Sequence, residues 1–286
     1  MCVNNLKLTD VQKLTLNLLE HVIGICEQES IRYYVGGGAC IGVVRHGGFI
    51  PWDDDVDLSL PREDFERLVA YVKAHPEPGY GICDRWSDPN WRFCMCQYVD
   101  LESEIEIDLA AEKRRAHIWI DIFPIDGLPD NAIVRWVHVK RILMTRYLIQ
   151  IANAATQVDT HRQRPLVERM VLSVCNKLKL GDHIDSLAKM EQLDRLCKKY
   201  SFYDQNYCGN MLGRYREREV VPCSYFGEPE KGAFCNIKVN IPERVSEYLT
   251  ALYGDYLTLP PENQRIAHNV NILRERSGLD ESGPNE

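Results

Sequence analysis

Gly36–Leu60 reads GGGACIGVVRHGGFIPWDDDVDLSL, and its end decides the fold: Asp53, Asp54 and Asp55 stand in a row and Asp57 follows one residue later. Like charges this close repel unless something neutralises them. The stretch 55–60 reads as a strand, in which alternate residues share a face. Asp55, Asp57 and Ser59 then point one way, while Val56, Leu58 and Leu60 point into a core. Two carboxylates about 7 Å apart along one strand face converge on a hard divalent cation. Asp54, taken alone, reads as a solvated turn acid.

Upstream, IRYYV (31–35) is a short β-type run ending in Gly36-Gly37-Gly38, and the small-residue stretch ACIGVVRH follows as a helix. Bare backbone between a strand and a helix lets a phosphate approach N–H groups and a helix N-terminus. Gly37 and Gly38 are therefore candidate phosphate contacts, and Arg45 at the far end of that helix is a candidate cationic one. Strand, Gly-Gly, helix, then D-x-D on the next strand describes a site for a nucleoside diphosphate and Mg²⁺ (or Mn²⁺). Asp121, at the end of the apolar run IWIDIF, is the best candidate for a third acid, because a buried acid needs a reason. Asp108 comes second, and Asp126 before Gly127 reads as an ordinary turn residue.

The rest of the chain sets the frame. TDVQ at residues 9–12 fits a capping box, and Val11, Leu14, Leu18, Val22 and Ile25 form one helical stripe. Pro61, Glu63 and Asp64 suit the first turn of another helix, which His75-Pro76 ends. From residue 80 to 123 the pattern turns to period two, with EIEIDL and IWIDIF marking a sheet. Helices are expected over 132–155, 165–200 and 243–253, with a Gly/Pro-punctuated stretch before the last. The fold class expected is α+β: a mixed-sheet core over 1–127, a largely helical region over 128–275, and a polar, disordered tail over 276–286.

The chain has 286 residues, 45% hydrophobic, with a net charge of −8, so its surface as a whole repels nucleic acid. Nothing approaches the ~20 apolar residues of a membrane span. The first 30 residues do not read as a signal peptide, which points to a cytoplasmic protein with reduced thiols. Of its 11 cysteines, Cys208, Cys223 and Cys235 are spaced too widely to make a zinc motif, though a site using them is conceivable.

The stretch Gly36–Leu60 resembles the signature of the LicD family, approximately S-G-G-T-x-L-G-x-x-R-H-x-G-x-I-P-W-D-D-D-h-D with h apolar. IDIFPIDGLP (120–129) resembles its second segment and YLTALYGDYLTLPPENQRIAH (248–268) its third, in the same order. The resemblance implies a nucleotidyltransferase-type fold, with Gly37 and Gly38 holding phosphate and Asp55, Asp57 and Asp121 binding Mg²⁺. Asp53 matches a further aspartate of the block. Members transfer phosphocholine from CDP-choline to sugars of teichoic acid or lipopolysaccharide, and animal relatives transfer ribitol phosphate from CDP-ribitol. The implied partners are a CDP-linked donor and a glycan or lipid-linked glycan acceptor at the inner membrane face, although no basic amphipathic helix advertises membrane contact. Gly36 and Ala39 depart from the family's Ser and Thr. For a choline donor, Trp86, Trp91, Trp119 and nearby tyrosines form the aromatic pool; a CDP-ribitol or CDP-glycerol donor would need hydroxyl-bonding groups instead. Two other classes use such acids: a D-x-D glycosyltransferase, and a non-catalytic module holding a structural Ca²⁺.

Overall fold

The computed structural model describes residues 8–276 except 86, 89–90, 92–93, 110–111, 154–179, 263–264 and 266–269. The Trp86 expectation, residues 165–179 of the expected 165–200 helix and nearly all of the tail lie outside the described residues, as does the side chain of Asp108.

Helix α1 (Asp10–Gln28) starts at the expected box: Gln12 N–H donates to Thr9 Oγ1 (3.2 Å) and Thr9 N–H to Gln12 Oε1 (3.0 Å). Its stripe is seated in the main core, where Leu14, Leu18, Leu19 and Val22 meet the sheet. Strand β1 (Tyr34–Val35) leads into α2 (Gly37–His46), and β2 (Asp57–Pro61) into α3 (Arg62–Ala74). Strands β3 (Tyr80–Cys83), β4 (Cys96–Leu109) and β5 (Glu112–Leu128) follow. The sheet runs β1-β2-β5-β4, with β3 also on β4, and every pairing is antiparallel except β2 with β5. That parallel pair sits in the middle. Ile118, Ile120 and Ile122 of β5 are fully or almost fully buried with Leu58 and Leu60 of β2, the alternation expected of strands with one covered face. The fold is thus the expected α+β arrangement on a mixed sheet.

Beyond residue 128, α4 (Ala132–Ala152) packs against α5 (Ser186–Cys197) through Val139, Ile142, Ile149, Met190 and Leu193. The punctuated stretch then returns to the sheet. Strand β6 (Tyr207–Gly209) pairs with β5, and β7 (Val221–Pro222) with β6. A separate hairpin, β8 (Glu230–Phe234) with β9 (Ile237–Ile241), precedes α6 (Val245–Tyr253), and β10 (Val270–Arg274) adds to β4. Helix α6 is held by Tyr248, Leu249 and Leu252 against Cys40 and Ile41 of α2. The C-terminal region therefore extends the sheet and closes over α2.

Asp126 is not the ordinary turn acid its sequence suggests. It is fully buried and takes a two-pronged hydrogen bond from Arg62 Nε (2.6 Å) and Nη2 (3.0 Å). Asp194 of α5 adds a second carboxylate 3.7 Å from Arg62 Nη1.

Candidate active site

Asp57 is the first residue of β2, and its register partner on β5 is Asp121. Directly paired residues of parallel strands present their side chains on the same face, one strand spacing of about 4.8 Å apart. Asp55 lies just outside the strand, two residues before Asp57, rather than within the expected 55–60 strand. The acidic turn is clamped by α1: Gln12 Nε2 donates to the Asp53 carbonyl (2.8 Å) and Thr15 Oγ1 to that of Asp54 (3.3 Å).

The glycine turn lies against these acids. Gly36 N–H donates to the Asp57 carbonyl (2.9 Å), and Gly37 has a φ of +53°, where a side chain is strained. A Cβ at Gly37 would stand 2.6 Å from Asp57 Oδ2, and one at Gly38 2.8 Å from Asp53 Oδ2. Bare backbone is what lets the start of α2 approach the carboxylates. A Cβ at Gly36 would meet Ser59 Oγ at 2.6 Å, so a buried hydroxyl from β2 stands where a side chain at 36 would project.

The electrostatics are those of crowded negative charge. Burial, then the charges of Asp55, Asp121, Asp53 and Glu219, push Asp57 well above the usual carboxylate range. Burial pushes Asp121 up to about 6; hydrogen bonds from Gln97 Nε2 (2.8 Å) and Trp119 Nε1 (3.2 Å) oppose the rise, and the Asp55 charge adds to it. Trp119, one of the three tryptophans in the aromatic pool, therefore sits at the acid cluster, whereas Trp91 is buried and donates to the Met95 carbonyl.

Glu219 escaped the sequence reading, because RERE (216–219) looks like a solvated charge run. In the structure it is buried, its Oε1 accepts the Tyr215 N–H (3.2 Å), and its charge reaches Asp57. Burial lifts its carboxyl from 4.5 to about 7, against the Tyr215 N–H and the Arg146 charge. A carboxyl raised on folding contributes stability that is complete below its unfolded pKa and is lost as pH rises through the folded one, here between 4.5 and about 7. A rise of this size corresponds to about 3 kcal/mol; the glutamine Oε1 still accepts the Tyr215 N–H, and losing the charge-assisted part of that bond removes about 1 kcal/mol. Glu219→Gln is accordingly expected to stabilise the fold by about 2 kcal/mol at pH ~8 and not at pH ~4. Denaturant unfolding at the two pH values checks it; an equal change at both would show that the carboxyl is not titrating between them.

Arg45 stands eight residues along α2 from Gly37, about 12 Å down the helix axis. Its Nη1 donates to the Tyr256 carbonyl (2.9 Å) and its Nε to His46 Nε2 (2.9 Å). Burial, and then the nearby Arg265 guanidinium, lower its proton affinity. Arg265 lies over the Trp52 ring (5.1 Å), and His46 meets that ring edge-on. Two neighbouring guanidiniums form a patch suited to an anion; Arg265 was legible only as part of the third block. Cys208 and Cys223 are neighbours, but Cys235 packs in a different cluster, beside the turn where its N–H donates to the Gly47 carbonyl.

The residues present fit a hard cation. Mg²⁺ needs one or two carboxylates and completes its shell with water and phosphate oxygens, and Asp57 with Asp121 offers that pair beside a cradle free of side chains. Among the described residues no three His, Cys, Asp or Glu side chains are grouped closely enough to hold a metal ion by themselves.

Comparison with known proteins gives the family. Residues 30–171 match the family described as LicD/FKTN/FKRP, nucleotidyltransferase domain. The chain is 27% identical over 276 residues to the lipopolysaccharide cholinephosphotransferase LicD of Haemophilus influenzae, covering 94% of this chain and 98% of that protein. The chain belongs to the LicD family. A 44-residue stretch is also 48% identical to the ribitol 5-phosphate transferase FKRP of Homo sapiens, a match that takes in 15% of this chain and 9% of that protein. Within the LicD frame the motif's other residues find physical roles. Gly47 ends α2 with φ +67°, Gly48 N–H donates to the Gly42 carbonyl (3.4 Å), and the tight return brings Trp52 back to His46. The third LicD segment supplies α6, whose Tyr248 hydroxyl lies against the Gly37 backbone.

Proposed function

We propose that this chain is a metal-dependent phosphotransferase that moves phosphocholine from CDP-choline to a sugar hydroxyl of a cell-surface glycan, releasing CMP. The observation that carries this reading is the in-register pair Asp57 and Asp121 beside the side-chain-free backbone of Gly37 and Gly38. The near full-length similarity to a cholinephosphotransferase supports the choice of head group.

Asp53, Asp55, Asp57 and Asp121 would hold Mg²⁺ (or Mn²⁺). When bound, the cation neutralises charge that builds on the departing phosphate oxygen. Gly37 and Gly38 offer backbone N–H groups at the start of α2 to the diphosphate, and the Ser59 hydroxyl takes the place of the one missing at Gly36. Arg45, with Arg265, holds an anionic part of donor or acceptor. The acceptor hydroxyl forms a bond to the distal phosphorus while the bond to the CMP oxygen breaks. Asp121 or a neighbouring aspartate of the cluster orients that hydroxyl and takes its proton. Trp119, fixed by its hydrogen bond to Asp121, offers an aromatic face to the quaternary ammonium.

A polyol phosphate donor is the second reading, favoured by the 48% identity to a ribitol 5-phosphate transferase over 44 residues. CMP release from CDP-choline, CDP-ribitol and CDP-glycerol, with and without Mg²⁺ and with a glycan acceptor, tests both. The expected result is metal-dependent CMP from CDP-choline. CMP from CDP-ribitol alone would reassign the head group. Turnover of a nucleotide sugar with release of a nucleoside diphosphate would make the protein a glycosyltransferase instead.

A further inference from the structure

We propose that α4 docks the protein onto an anionic lipid surface. Single exposed apolar side chains are ordinary on any protein. Here Ile133 (76% exposed), Trp136 (62%), Met144 (60%), Val134 (47%) and Val137 (44%) crowd the outer side of one helix. Residues 133, 136, 137, 140 and 144 recur at spacings of three and four, so they share one face. The opposite face is fully engaged, with Val139, Ile142 and Ile149 packed against α5. No helix among the described residues is long and apolar enough to cross a membrane, and α4 buries its inner face in protein, so it lies on a surface rather than spanning one.

Charge selects the kind of surface. Over its 21 residues α4 carries Arg135, Lys140, Arg141 and Arg146 and no acid, in a chain of net charge −8. The segment 211–219 is fastened alongside. Arg146 donates to the carbonyls of Met211 (2.7 Å), Leu212 (3.0 Å) and Gly213 (3.0 Å), and Lys140 pairs with Glu217 (2.7 Å). That segment exposes Arg214, Arg216 and Arg218. The apolar stripe thus carries Lys140 and is flanked by Arg141, with the exposed Arg214 and Arg216 on the segment fastened alongside, against the exposed acids Glu217 and Asp130. An apolar stripe with a cationic border and an amphipathic Trp matches the headgroup region of an anionic leaflet. A second copy fits less well, because a two-fold contact through this face would set the arginine border against itself.

The position suits the reaction without depending on it. The same turn that shows Arg216 and Arg218 outward turns Glu219 inward, close enough for its charge to act on Asp57. An acceptor held in a bilayer would meet the acid cluster across that one turn.

The test is sedimentation of the full chain with vesicles of phosphatidylcholine alone and of phosphatidylcholine mixed with phosphatidylglycerol. Wild type is expected to sediment with the anionic vesicles only, and less at high salt. The triple variant Ile133→Ser, Trp136→Ser, Met144→Ser is expected to bind at least about tenfold more weakly with unchanged thermal unfolding. Arg141→Gln with Arg214→Gln should also weaken binding without touching the apolar face. Failure of wild type to bind, equal binding by the triple variant, or equal binding to neutral vesicles would overturn the proposal. So would a dimer in sedimentation velocity that the triple variant dissociates, since a second copy would then own this face. None of these outcomes bears on CMP release, so the two readings fail separately.

Discussion

Asp57→Asn is expected to lower metal-dependent CMP release by about a thousandfold while leaving the fold intact and slightly more stable at neutral pH. The two halves of this result have one cause. Asp57 is held beside Asp121 and within the field of Asp55, Asp53 and Glu219, and its proton affinity is raised by burial and by all four charges. Removing its charge relieves repulsion in the folded protein and so favours folding. The same removal takes away the carboxylate best placed to share a cation with Asp121 beneath the Gly37 backbone. Turnover and thermal unfolding should therefore move in opposite directions. A structural-ion protein would behave otherwise: losing a ligand would unfold it. Concerted loss of activity and stability in Asp57→Asn would accordingly sink the catalytic reading.

A second large effect is expected in folding alone. Asp126→Asn should cost about 3–5 kcal/mol, because it leaves the Arg62 guanidinium buried without its partner. Arg62 is 6% exposed in its side chain and Asp126 0%, so water cannot replace the lost contact. Asp194 at 3.7 Å from Nη1 is too far to supply a two-pronged hydrogen bond. Replacing both partners together, Arg62→Met with Asp126→Leu, should recover most of the loss, since an apolar pair carries no desolvation cost. Urea unfolding of the single and double variants measures this. A double variant as unstable as the single would mean that the position depends on shape rather than on charge.

These two aspartates show what the sequence made legible and what it hid. Asp57 and Asp121 each stand next to strongly apolar strand residues, so local pattern alone marked them as acids with a purpose. Their register could not be read, because it depends on a parallel pairing between segments more than 60 residues apart. Asp126 precedes a glycine and looks like a turn; only the packing of α3 reveals the buried arginine that neutralises it. Glu219 is the converse, an acid hidden inside an alternating charge run that a 3-10 turn rotates inward. Strands β6 and β7 span three and two residues, too few for a period-two signal, and they form because β5 offers an edge. Helix α4 was expected, over 132–155. Spacing does not tell a covered face from an open one, and the open face emerged only once α5 had taken the other side.

The Gln12 side chain has a consequence for motion. Its amide oxygen closes the first turn of α1 on Thr9, while its amide nitrogen holds the carbonyl of Asp53. One planar group cannot let go at one end and stay placed at the other. The entrance of the first helix and the acidic turn are therefore a single opening unit, sharing one free energy and one lifetime of excursion. Fraying at the start of α1, ordinarily harmless, is here transmitted directly to the acidic turn proposed to hold the cation.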